Sequence, residues 1–335
     1  VIIIFITSGN IGFKMIKNQA TEIRSYILAK IPVHPKNIVA KASKAFSCSR
    51  TTVHRHLNRL IRDGEIIKSG TTRQTQYFLK TEKNKEIFVS LKGKVAEDKV
   101  WKENFLADFE KLPKNVLEIC EYGFLEMLNN VIDHSEGTGV TIHTEWTPDS
   151  VKIGIFDNGI GIFRKIKNVL NLEDDRESAL HLSKGKFTTD PVNHTGEGIF
   201  FTSRVFDDFL ILSRAVAYAR DNQDEDWFVE AADDSKKPGT GLSMTINRNS
   251  KRNLQNVFAE FTEEDFDGVP KFDKTHILVR LSQLGDERYV SRSQARRICL
   301  GLEKFKHVVL DFKDISTIGQ GFVDEVFRVF QSKYP

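Results

Sequence analysis

Residues 155 to 163 read IFDNGIGIF, with an Asp-Asn-Gly and a second glycine set between apolar residues. Asp-Asn-Gly flanked by alternating hydrophobics is a strong hairpin signal, yet the same stretch would serve as the wall of a nucleotide pocket. The preceding residues decide. VTIHTEW, a turn TPDS and VKIGIF form two alternating strands with a hairpin of their own, so Asp157 ends a strand instead of joining two. Ahead of those strands, VLEICEYGFLEMLNNVIDHS puts Leu117, Phe124, Leu128 and Ile132 on one helical stripe. Glu126 and Asn130, four apart, lie one turn from each other on another face. The amide oxygen is a hard metal ligand and the carboxylate a base for water, so the pair suits a metal-bound phosphate. A solvated polar face is the plainer alternative.

Three further segments follow in order. SKGKFTT is basic, and HTGEGIF opens a helix with Gly196 and Gly198, whose backbone N–H groups and positive dipole end make a ready anion site. KPGTGLSMTI is a strand that begins at Gly239 and Thr240. In this order the segments resemble the four motifs of the GHKL ATPases, the Bergerat-fold superfamily of gyrase, the heat-shock chaperone, histidine kinases and MutL. EMLNNVIDHS looks like the N box, DNGIGI the first glycine box, HTGEGIF the second and GTGLSMTI the final strand motif, over about residues 100 to 248.

The resemblance implies ATP and Mg2+ as ligands. Asp157 would accept a hydrogen bond from the adenine amino group, Thr240 would lie near the adenine edge, and Gly159 and Gly161 would admit the base and hinge a lid. Asn130 would bind Mg2+, while Lys184 and Lys186 in the lid, with the amides near Gly196 and Gly198, would hold the phosphates. Glu126 would be the general base, as in the gyrase and MutL branches. Anti-sigma serine kinases also carry Glu there, which leaves hydrolysis and phosphoryl transfer both open. A P-loop is excluded, since no GxxxxGK[ST] occurs. No histidine lies in a dimerisation-helix pattern ahead of the N box, so a conventional histidine kinase is not expected.

Net charge is only +3, yet residues 14 to 90 hold 16 Lys/Arg against 5 Asp/Glu, a net +11 that leaves about −8 elsewhere. A basic first quarter on an otherwise acidic chain suggests a module for a polyanion. From Gln19 the pattern is three helices and two short strands. ATEIRSYILAKI and KNIVAKASKAF come first, then SCSRTTVHRHLNRLIRDG, with Ser/Thr cap candidates and a stop at Gly64. Val53, Leu57, Leu60 and Ile61 pack inward. Arg50, Thr51, Thr52, His54, Arg55 and Asn58 are left facing out, types that reach phosphates and base edges. EIIKSGTTRQTQYFL reads as a hairpin with Gly70 at its tip and Arg73 on the return strand. The set resembles a winged helix-turn-helix, which implies double-stranded DNA as partner. A protein-docking helical domain with a basic face is the alternative.

After an acidic linker, THILVRLSQL, SRSQARRICLGLEKF, HVVLDF and KDISTIGQGFVDEVFRVF read as strand, helix, strand, helix. They resemble STAS-like domains, relatives of anti-sigma factor antagonists. In those antagonists a phosphorylated Ser follows the Asp of DSSG at the start of the last helix. Here the matching run is IGQGF, with Gly319, Gln320 and Gly321, and Ser316 and Thr317 precede it. The acceptor is missing, so docking a protein partner or self-association, as in a homodimer, is expected. The chain stops just after this helix, where a further strand is expected, so truncation is also an expectation.

The fold class expected is therefore multidomain α/β: residues 1–14 an extension or peripheral strand, 15–90 a winged helix-turn-helix, 91–250 a Bergerat-fold α/β sandwich with a mixed sheet under helices, and 265–335 a small STAS-like domain. Cys48, Cys120 and Cys299 are odd in number and far apart, against a disulfide framework, and no apolar run reaches membrane-span length. Neither a signal peptide nor a membrane partner is expected, and the compartment is expected to be cytoplasmic. The leading functional reading is a Mg-dependent, ATP-hydrolysing DNA-binding regulator in which nucleotide state controls the winged helix and the STAS-like domain. A serine/threonine kinase of an anti-sigma-like partner-switching system and a nucleotide-sensing scaffold without turnover remain alternatives.

Overall fold

The structure, a computed structural model, describes residues 2–4, 19–32, 34–71, 74–187, 196–221, 226–230, 238–264, 270–279, 291–313, 315 and 317–334. It is mixed α/β and forms two compact units, one of residues 10–86 with 143–152, the other of 1–9, 87–142 and 153–335. The first described element is a short strand, β1 (Ile2–Ile4).

In the smaller unit α1 (Gln19–Lys30), α2 (Ile38–Ala45) and α3 (Arg50–Arg62) precede a hairpin of β2 (Ile66–Ser69) and β3 (Gln76–Leu79). Helix α3 starts where Ser49 accepts a hydrogen bond from the Thr52 amide at 3.1 Å, and the chain turns out of it at Gly64, φ +76°. Val53, Leu57 and Leu60 recur at helical spacing and join Ile23, Ile27 and Ile38 in one buried core. Each such side chain contributes about 1.5–3 kcal/mol of burial. The hairpin is antiparallel, Ile66 facing Leu79, and Ile66 and Tyr77 close the core.

The next part of the chain forms a seven-stranded sheet. Its strands are β4 (Lys83–Ser90), β5 (Gly139–Trp146), β6 (Ser150–Asp157), β7 (Asp208–Ser213), β8 (Val216–Arg220), β9 (Asp226–Glu230) and β10 (Gly241–Asn247), in the spatial order β4-β5-β6-β10-β7-β8-β9. The pairs β10–β7, β7–β8 and β8–β9 are antiparallel. Although the smaller unit takes in residues up to 86, β4 belongs to this sheet. Its alternating KNKEIFVS reads locally like a continuation of the preceding hairpin, and only long-range pairing tells the two apart.

Helices α4 (Glu97–Asn104), α5 (Leu106–Phe109), α6 (Lys114–His134), α7 (Ile162–Leu170), α8 (Asp175–Lys184) and α9 (Gly198–Val205) complete this part. Along β7, Phe209 and Ile211 are buried while Leu210 and Leu212 are exposed, the alternation of a sheet covered on one face. α6 approaches the sheet closely because Gly123 has no side chain: a Cβ there would stand 2.4 Å from the Phe206 ring. Trp101 and Phe105 pack on Phe124, and Phe109 packs on Trp101, which extends the core.

Next come α10 (Leu254–Phe261) and an antiparallel pair, β11 (Thr262–Glu264) with β12 (Pro270–Phe272). β13 (Lys274–Leu278), α11 (Arg292–Cys299), β14 (His307–Asp311) and α12 (Gln320–Asp324), which runs on as a π-helical turn over Glu325–Phe330, form the C-terminal layer. The expected helix SRSQARRICLGLEKF is shorter in the structure. It starts with a capping box between Ser291 and Gln294 and stops at Cys299, since Gly301 adopts φ +88°. β13 and β14 are parallel with α11 as crossover, and β1 pairs parallel to the other side of β14, Ile2 opposite His307. The first residues therefore supply a strand of the C-terminal sheet.

Candidate functional site

The four segments singled out in the sequence converge on one cavity of about 410 Å³ in the larger unit, a size that suits a small-molecule ligand. α6 forms one wall. Its apolar stripe of Ile119, Phe124, Met127 and Leu128 is buried, which turns Glu126 and Asn130 into the cavity. Asp157 reaches the cavity from the end of β6, and Gly161 from the start of α7. Thr240 adjoins the start of β10, and Gly196 and Gly198 sit at the start of α9.

Asp157 is held from several directions. Its Oδ1 accepts the Gly159 N–H at 2.8 Å, its own N–H donates to the Thr240 carbonyl at 3.0 Å, and the Thr240 hydroxyl accepts the Ile162 N–H at 3.0 Å. Burial pushes the Asp157 carboxyl above the usual carboxylate range, and hydrogen bonds from Gly159 and Thr240 pull the other way. A ligand N–H donated to this carboxylate would relieve that cost. Gly159 lies directly behind Asp157, and a Cβ there would stand 1.9 Å from the Ser135 carbonyl oxygen. Gly161, at φ +90°, has a backbone conformation that suits glycine. Asn158 faces away. Its Oδ1 accepts the Thr138 and Gly139 N–H groups at 2.8 and 3.2 Å, which stitches the end of β6 to the start of β5.

Across the cavity, a Cβ on Gly198 would lie 2.0 Å from Glu126 Oε2. The Glu126 carboxylate therefore rests against the positive end of α9, where an anion is favoured. Tyr122, one turn before Glu126, has its phenol pushed up by burial and by the Glu126 and Glu197 carboxylates, and it stays a neutral donor.

Lys184 and Lys186, expected to hold phosphates, face the C-terminal layer instead. Lys184 Nζ donates to the carbonyls of Arg297 and Leu300 at 3.0 and 2.9 Å, and Lys186 Nζ to Asp273 and the Lys304 carbonyl at 2.9 Å each. A lysine amine can donate hydrogen bonds to the last carbonyls of a helix, which lack partners within it, and this is why α11 captures Lys184. Among the described residues, the lysine that lines the cavity is Lys165, absent from the sequence reading. Its Nζ donates to the His134 carbonyl at 2.7 Å and pairs with Glu136 at 3.0 Å. Ile162, Lys165 and Ile166 share helical spacing, a signal that puts Lys165 on the cavity face of α7.

The residue types fit a magnesium–nucleotide ligand. Asn130 offers a neutral oxygen and Glu126 a carboxylate one turn away, and no cluster of three or more metal-binding side chains exists among the described residues. Mg2+ is commonly held by one or two protein oxygens plus phosphates and water, so a sparse set suffices.

In the smaller unit Arg50, Thr51, His54, Arg55 and Asn58 are exposed along α3. Thr52 is part-buried and tied to the cap, its hydroxyl 2.9 Å from that of Ser49. Arg73 and Ser316 lie outside the described residues. No described helix is long and apolar enough to cross a membrane.

Comparison with known proteins finds no curated protein that matches the chain. A family model does match residues 294–335, over α11, β14 and the last helix: the STAS-like domain of unknown function (DUF4325).

Proposed function

We propose that the cavity binds ATP with Mg2+ in the manner of a GHKL ATPase, and that the protein is a DNA-binding regulator whose nucleotide state bears on a winged helix and a STAS-like partner domain. The observation that carries the reading is the part-buried Asp157 carboxylate, braced by Gly159 and Thr240, in one cavity with Glu126, Asn130 and the start of α9. Asp157 accepts the adenine amino hydrogen, and Thr240 beside it limits what fits at that edge. The backbone amides at the start of α9 and the Lys165 ammonium bind phosphate oxygens, and Asn130 holds the metal. Mg2+ supplies charge neutralisation on the phosphates. Glu126 Oε2 takes the proton of an attacking water, or of a protein hydroxyl if the acceptor is a partner.

The exposed basic face of α3 with the β2–β3 hairpin supports DNA as the partner of the smaller unit. The STAS-like domain supports a protein partner, since domains of that class commonly mediate protein interactions. The test is isothermal titration of the full chain with Mg-ATP. Asp157→Asn should weaken binding by at least thirtyfold, because it removes the charged acceptor and sets an amide against the adenine amino group. Equal affinity in the variant refutes the pocket assignment. Radiolabelled ATP then separates free phosphate from label on a protein.

A further inference from the structure

Residues 182 to 187 leave α8 as a strap with two faces. Leu182 and Phe187 line the cavity, while Lys184 and Lys186 between them are bound to the STAS-like side. The strap backbone is gripped as well. The Thr275 hydroxyl donates to the Lys184 carbonyl at 2.7 Å, and Lys304 Nζ donates to the Lys186 carbonyl at 3.3 Å. Gly185 is seated so closely that a Cβ would meet the Phe272 and Phe200 rings at 2.8 and 2.9 Å. Phe200 and Phe201, on the helix whose first residues line the cavity, belong to the same buried core as Val308, Leu310 and Phe322 of the C-terminal layer. Gly196, in the cavity wall, would place a Cβ 2.5 Å from the Phe187 backbone, so the two wall pieces touch.

From this arrangement we infer that the STAS-like domain is a working part of the cavity wall, with Lys184 and Lys186 as positioning residues. The domain holds Phe187 and the start of α9 in place, and occupancy of the cavity and the packing of the STAS-like domain are therefore coupled. Coupling of this kind is reciprocal: a protein seated on the STAS-like domain changes ligand affinity in the cavity by the same factor by which the ligand changes that protein's affinity. The physical carrier is contiguous. The Lys186–Asp273 pair is mostly shielded from water, its side chains 14% and 13% exposed, so loss of one partner leaves a poorly solvated charge that must move. The Lys186 ammonium also stands 4.8 Å from the Phe305 ring centroid, which ties the strap to the turn before β14.

The inference rests on the ATP reading only for its choice of probe. Full-length wild type, Lys186→Ala, Lys186→Arg and Arg328→Ala are compared by Mg-ATP titration and by amide hydrogen exchange without ligand. Lys186→Ala should weaken Mg-ATP at least tenfold and speed exchange at residues 185–187 and 198–199 at least tenfold. Lys186→Arg, which keeps the pairing with Asp273, should restore both to within threefold. Arg328→Ala breaks the Asp324 pair elsewhere on the STAS-like domain and should leave both unchanged. Wild-type exchange in Lys186→Ala, or equal losses in Arg328→Ala, overturns the coupling. If wild type itself fails to bind Mg-ATP, the ligand assignment falls, and the exchange comparison still decides the positioning role.

Discussion

Lys184→Met, followed across pH, should give a result opposite to that of most surface lysines. Lys184 is 2% exposed, and burial pulls its ammonium down from 10.5 to about 7, against the pull of Cys299, Glu303 and Glu177 the other way. Between those two values the unfolded chain holds the proton and the folded chain does not, so stability rises with pH. With about 1.36 kcal/mol per unit at the limit, the step from pH 7 to roughly 8.5 adds about 1.5 kcal/mol. Met at 184 removes that rise and strands the Arg297 and Leu300 carbonyls, which costs about 1–3 kcal/mol at every pH. Cys299 sets the upper bound of the window. Burial raises its thiol to about 12, so its contribution is present below the unfolded value of 9 and is lost above it. Urea unfolding of wild type and Lys184→Met at both pH values measures the effect. The wild-type advantage should grow by about 1.5 kcal/mol at the higher pH. An advantage that is the same at both values would refute the claim that this amine is held unprotonated by burial.

Gly159→Ala should lower stability by roughly 3 kcal/mol, because its Cβ meets a backbone carbonyl that cannot swing aside. Thermal unfolding measures it, and a loss under about 1 kcal/mol would mean that β6 and the end of α6 part easily. Arg50→Gln with Arg55→Gln should weaken binding of a labelled duplex across sequences and lower the slope of log affinity against log salt by about 2. An unchanged slope would move the DNA contact off α3.

What the sequence disclosed and what it withheld follow from the range of the forces involved. Helix α3 was legible because its start, stripe and stop are local: a Ser49 cap, Val53, Leu57 and Leu60 in phase, and Gly64. The cavity was legible where its residues occur in ordered short motifs, as with Glu126, Asn130, Asp157 and Thr240. The turn of Lys184 and Lys186 toward the C-terminal layer was not legible, because a basic run beside a glycine says nothing about which side of a strap each amine takes. That choice was made by Asp273 and by carbonyls more than a hundred residues away. Lys165 was missed for the converse reason, since a single lysine on an amphipathic helix has no motif. The membership of β4 in the large sheet was not legible, because it alternates like an edge strand of either sheet.

The pairing of β1 with β14 has a consequence for synthesis. A ribosome releases Ile2–Ile4 about three hundred residues before His307–Asp311, yet the two lie side by side in one sheet. Until β14 emerges, β1 lacks the partner it pairs with in this sheet, and the elements between them fold before that pairing can form. Closing a loop of this length in a wholly flexible chain would cost on the order of 5 kcal/mol, and folded segments in between shorten the effective span. Assembly of this sheet thus joins segments far apart along the chain, and a nascent polypeptide arrested before residue 307 would display β1 without the β14 partner it has in the folded protein.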